Sequence, residues 1–136
     1  MGNHKTTIYV LSDQQLRWKI IQNLLKTSFA DSYNVSLLGS DSFDKISSID
    51  FKPIFIIDFI GLNVSAKLLI DILKKTNQNA KLIALHLYRS AFLVKPLFEM
   101  GIDGYVYYEP TREELITAVN SVMDDKNYTP TFLGTK

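Results

Sequence analysis

The sequence predicts a single α/β domain built on a parallel sheet, and three observations carry that prediction. Short apolar runs alternate along the chain with longer stretches of helical period. Several of the runs are apolar at consecutive positions, as strands covered on both faces must be. One of them, Ile54-Phe55-Ile56-Ile57, ends in an acid, Asp58. A buried strand that delivers a carboxylate at its C-terminal end places it in the crevice where open parallel sheets bind ligands.

Five strands are predicted, over Thr7–Leu11, Asn34–Leu38, Ile54–Ile57, Leu82–Leu85 and Tyr105–Tyr107. The first helix, about Gln14–Ser28, places Leu16, Ile20, Ile21, Leu24 and Leu25 on one stripe, with Ser12 or Asp13 as its cap. A short helix is expected near Phe43–Ser48, begun by Asp41 or Ser42, and a longer one near Ala66–Lys75 with Leu69, Ile72 and Leu73 inward. Pro96 interrupts the next pattern, Phe92 to Met100, so that helix is either kinked or starts late. The last helix, about Arg112–Asp124, opens on the capping box Thr111-Arg112-Glu113-Glu114 and buries Leu115, Ala118, Val119 and Val122. The domain is expected to span 1–125, with 126–136 as a linker or tail.

With 136 residues the chain is long enough to bury a core without staples, and with no cysteine it has no disulfide, thiolate metal site or thiol nucleophile. Fifteen Lys and Arg against 14 Asp and Glu leave a net charge of +1, which gives no general pull towards nucleic acid or an anionic membrane. The first residues run into a strand without an apolar signal core, and no stretch is long enough to span a bilayer. A cytoplasmic domain that binds neither nucleic acid by itself nor membrane is the expectation.

Asp58 is the residue to explain, with a simple loop cap as the plain alternative. Asp13, at the end of the first strand run, is either a helix cap or a second acid in the same crevice, and one side chain can serve as both. His86 with Asp13 and Asp58 would suit zinc, although a single strand-end histidine is more often a satisfied polar group. Trp18 falls off the inward stripe and is either an interface anchor or partly buried. An enzyme using a phosphate cradle is disfavoured, because Ser12-Asp13-Gln14-Gln15 has no glycine and sets an acid where phosphate would sit.

From Thr7 to Asp125 the chain resembles the receiver domain of two-component response regulators. The resemblance is most specific in Leu73 to Leu85, in Phe98-Glu99-Met100-Gly101-Ile102-Asp103-Gly104-Tyr105-Val106 and in Glu113 to Val119, which look like receivers attached to LuxR-type regulators. It implies a flavodoxin-like fold, a three-layer (βα)5 sandwich with strand order 2-1-3-4-5. It also implies that Asp58 is the phosphoacceptor position and Tyr105 the switch aromatic. The pocket departs from the family at three positions: Ser12 replaces one of two metal-holding acids, His86 a Ser or Thr, and Tyr108 a Lys. Asp13 and Asp58 would then hold magnesium weakly, and the phosphoryl clasp is altered.

The function expected is an atypical receiver in phosphorelay signal transduction, not an enzyme, acting as a protein-interaction or dimerisation module largely without phosphorylation. The alternative is a working phosphoacceptor at Asp58 that controls a DNA-binding, transcription-regulating output domain. The partners implied are a histidine kinase and a second copy or an output domain. Tyr108 and His86 are expected to fill the phosphoryl space, and a hydrogen bond from either to Asp58 would leave the pocket self-satisfied without phosphate.

Overall fold

The computed structural model describes residues 6–29, 33–41 and 52–133. Five strands form one parallel sheet, β1 (Thr6–Leu11), β2 (Tyr33–Leu38), β3 (Ile54–Asp58), β4 (Lys81–His86) and β5 (Gly104–Tyr107). Their order is β2-β1-β3-β4-β5, which is the flavodoxin-like arrangement the resemblance implies. Register pairs Leu11 with Ile57 and Asp58 with Leu85, so the ends of β1, β3 and β4 reach the same side of the molecule.

Helices α1 (Gln15–Phe29) and α4 (Arg112–Met123) cover one face of the sheet, and α2 (Ala66–Thr76) and α3 (Ala91–Met100) the other. Every residue of β3 is buried, as the central strand of a sheet with helices on both sides must be. α2 begins where the Ser65 hydroxyl accepts the Leu68 N–H, and it buries Leu69, Ile70 and Leu73. Each such side chain contributes about 1.5–3 kcal/mol. α4 is capped by Thr111, whose hydroxyl accepts the Glu114 N–H at 3.1 Å, and buries Leu115, Ala118, Val119 and Val122 as the period predicts.

Two expectations are corrected, and for a third, one of its two alternatives is removed. On α1, Ile21 and Leu25 are buried, whereas Leu16 and Ile20 are 72% and 41% exposed, so the inward stripe is narrower than the apolar pattern. On α2 the inward residue is Ile70 in addition to Leu69 and Leu73, while Ile72 is exposed. α3 starts at Ala91, capped by Ser90, and runs through Pro96; it does not start late. The short helix expected near Phe43–Ser48 lies outside the described residues.

Residues 126–133 lie against the outer edge of β5. Tyr128 forms a parallel bridge with Gly104, its carbonyl accepts the Tyr105 N–H at 2.9 Å, and Leu133 is 9% exposed.

Candidate functional site

The site begins with Asp58, the last residue of β3, which is fully buried. Ser12, immediately after β1, is fully buried as well, and its hydroxyl donates to Asp58 Oδ2 at 2.8 Å. The Ser12 Oγ in turn accepts the Gln14 N–H at 3.1 Å. One hydroxyl therefore shapes the turn that leads into α1 and ties it to the end of β3.

Arg17, in the first turn of α1, supplies the second donor. Its Nε donates to Asp58 Oδ2 at 2.8 Å, with the arginine side chain 17% exposed. Its Nη2 donates to the Tyr108 carbonyl at 3.3 Å, and the guanidinium carbon stands 5.8 Å from the Tyr108 ring centroid. The buried carboxylate is thus paired with a fixed cation, which is how a buried charge is kept in a protein interior. Asp58 Oδ1 is buried and has no hydrogen-bond partner among the described residues.

Gly61 closes the site from above. A Cβ at that position would lie 2.5 Å from both Asp58 Oδ2 and Ser12 Oγ, so only glycine lets the backbone pass there. The turn is held by the Gly61 N–H on the Asp58 carbonyl and by the Asp13 N–H on the Gly61 carbonyl, both at 3.0 Å.

The other site residues expected from sequence are placed as follows. Asp13 is exposed, and its Oδ1 accepts the Ser40 N–H at 2.8 Å, so it caps the loop after β2 and not α1. His86 accepts the Leu87 N–H on Nδ1 at 2.8 Å and stacks on Tyr88 at 4.2 Å between ring centroids. Burial lowers its pKa from the ordinary 6.5, against the charge of Asp58, which raises it. Tyr108 is 43% exposed with a left-handed φ of 50°, and it serves the site through its carbonyl. The donors to Asp58 are therefore Ser12 and Arg17, and neither Tyr108 nor His86 takes that part. Tyr105 is fully buried and its hydroxyl donates to the Tyr88 carbonyl at 2.8 Å; burial raises its pKa. Trp18 is half-buried against the face covered by α1 and α4.

Arg17 is the residue that sequence reading missed. A cation in the first turn of a helix opposes the helix dipole, and that is the signal that it has a partner elsewhere. Its presence also bears on the expected magnesium site. One oxygen of Asp58 is shared by two donors, one of them cationic, and Asp13 is committed to Ser40. Among the described residues no group of three or more His, Asp or Glu could hold a metal ion. A magnesium ion needs several hard oxygens, and with Asp58 Oδ2 and Asp13 Oδ1 both engaged this donor set fits one poorly; it does not fit the zinc reading of His86.

No family model matches the sequence, and no curated protein matches it. Solved structures do match the fold. The isolated REC domain of RcsB from Salmonella enterica serovar Typhimurium, determined with the phosphomimetic BeF3-, superposes with a TM-score of 0.74 at 15% identity, over 96% of each chain. A LuxR family DNA-binding response regulator from Silicibacter pomeroyi gives 0.72 at 18% identity, over 92% of this chain and 97% of that one. A Salmonella typhimurium RcsB response regulator gives 0.74 at 15% identity, and this chain spans 64% of its length. The chain therefore has the fold of response-regulator receiver domains. No helix among the described residues is long and apolar enough to cross a membrane.

Proposed function

We propose that the chain is a receiver domain of a two-component response regulator whose acceptor-position aspartate is held by its own arginine, so that it acts as a protein-interaction module without phosphorylation. The observation that carries this reading is the 2.8 Å contact from Arg17 Nε to the fully buried Asp58. An aspartyl phosphate forms when a carboxylate oxygen attacks the donor's phosphorus, and the attacking oxygen must be reachable and uncommitted. Here Oδ2 carries two hydrogen bonds and Oδ1 is shut from solvent. The residue after β5 is Tyr108 and carries no charge of its own, and the cation that reaches it, Arg17, is already engaged with Asp58 and the Tyr108 carbonyl. Its partners would be a second copy or an output domain, and its setting the cytoplasm.

A second reading has one observation in its favour. Asp58 Oδ1 has no partner among the described residues, and a buried oxygen left over in this way is where an acceptor would react. Phosphorylation mass spectrometry after incubation with magnesium and a small-molecule phosphodonor separates the two. The proposed reading expects no mass increase at Asp58 and no change in assembly by light scattering. Efficient modification accompanied by a change in assembly would establish the working acceptor in its place.

A further inference from the structure

The segment after α4 is built into the sheet edge and reaches back towards the end of the sheet that carries Asp58. Its start is fixed by Asp125, a left-handed residue at φ 61° whose carboxylate meets Lys81 at 2.7 Å and Lys52 at 3.6 Å. Tyr128 then takes the place of a sixth strand. Its N–H donates to the Asp103 carbonyl at 3.1 Å, and its carbonyl accepts the Tyr105 N–H at 2.9 Å. Its hydroxyl donates to Glu114 at 3.1 Å, and burial followed by the charge of Glu114 pushes its pKa up to about 12, so it stays a donor. These bonds occupy polar groups of the β5 edge that an incoming strand would need.

The far end of the segment carries two further anchors. Leu133 enters the core cluster that holds Tyr105, Val94 and Leu97. Phe132 meets Tyr107 edge-on at 5.6 Å between centroids, and the Arg89 guanidinium lies 4.8 Å from the Phe132 ring and 5.1 Å from the Tyr107 ring. Arg89 belongs to the loop between β4 and α3. In that loop the Tyr88 carbonyl receives the Tyr105 hydroxyl, and the Tyr88 ring stacks on His86, which itself stacks on Phe59 at 5.9 Å. Phe59 is the residue after Asp58. A contiguous set of ring and hydrogen-bond contacts thus runs from the segment to the Asp58 end of β3.

We propose that residues 126–133 are a strap that covers the β5 edge, and that its seating is coupled to the Asp58 site through Arg89, Tyr88 and His86. Seated, the strap withholds the Tyr105 N–H and Asp103 carbonyl from any other strand. Unseated, it leaves that edge unpaired, and Arg89 in the loop 87–90 loses one of the two rings it rests on. The coupling works in both directions, as any equilibrium coupling must. The strap's role is independent of whether Asp58 accepts a phosphoryl group.

Amide hydrogen exchange and histidine NMR test this on the full chain. The chain has 2 histidines, so a His4→Gln background leaves His86 as the single imidazole. In that background Phe132→Ala and Arg89→Gln are expected to speed exchange of the Tyr105 and Tyr128 amides by about tenfold and to shift the His86 ring signals. Phe92→Ser, at a residue 84% exposed on α3, is expected to change neither. Asp58→Asn is expected to change the exchange of the same two amides, with thermal melts confirming that each variant is folded. Faster amide exchange in Phe132→Ala with His86 signals unmoved would overturn the coupling. Unchanged exchange in both Phe132→Ala and Arg89→Gln would overturn the strap.

Discussion

Replacing Arg17 by Met removes the cation from Asp58 while keeping an apolar stem of similar length, and it is the substitution with the most to say about this site. Asp58 stays fully buried and keeps one donor, Ser12. Breaking a buried ion pair by removing one member costs about 3–5 kcal/mol, because the other charge is left uncompensated. Arg17 retains 17% of its side-chain exposure, so water reaches that side of the carboxylate and the loss falls to about 2–3 kcal/mol. For a chain of this size that corresponds to a fall in Tm on the order of 10 °C. Urea and thermal unfolding of Arg17→Met, Asp58→Asn and the double variant form a cycle in which the coupling between the two sites is expected at about 2 kcal/mol. An Arg17→Met protein within about 0.5 kcal/mol of the parent would show that the pair carries no weight and would remove the basis for an internally held aspartate.

Three further outcomes follow from the same geometry. Gly61→Ala would press a methyl group between Ser12 and Asp58, where the Cβ stands 2.5 Å from both; a loss of about 1–3 kcal/mol in urea unfolding is expected, and no loss would contradict the closeness of that turn. Ser12→Asp would bury a second carboxylate beside Asp58; a Tm lower than the parent's in EDTA and partly recovered by magnesium is expected, whereas equal Tm values under both conditions would place Ser12 outside the carboxylate's surroundings. His86 has a folded pKa below its ordinary 6.5, so the unfolded chain binds the proton first. Stability contributed by neutral His86 is therefore complete above about pH 6.5 and lost as pH falls towards the folded value. In a His4→Gln background this pH slope should vanish on adding His86→Gln, and a slope that persists would assign it to other groups.

The strands were legible because buried parallel strands leave consecutive apolar runs, and β3 is buried at every position; their order came from the resemblance to receiver domains. α4 was legible to within a residue, since its capping box and apolar stripe agree. α1 and α2 were less so: Leu16, Ile20 and Ile72 are apolar and lie near the inward stripe, but they face solvent, and composition alone does not separate a core residue from an exposed one. Asp58 and Asp13 were singled out by position along the strands, and Ser12, His86 and Tyr108 as pocket positions by the resemblance, yet of these only Ser12 donates to Asp58. Arg17 escaped because its partner is 41 positions away, a separation that no local pattern encodes. The packing of Tyr128 and Leu133 was hidden for a similar reason, since a short tail with Pro130 and Gly134 reads as a linker until its contacts with β5 are seen.

The most direct test of the central claim is an NMR titration of the intact chain with beryllium fluoride and magnesium, the phosphomimetic used for the RcsB REC domain. With Arg17 Nε and Ser12 Oγ both on Asp58 Oδ2, no saturable shift is predicted at the amides of Asp58, Phe59 and Gly61. Saturable shifts at those amides, with matching changes at Tyr105, would show that Asp58 is free to take a phosphoryl group and would contradict the account.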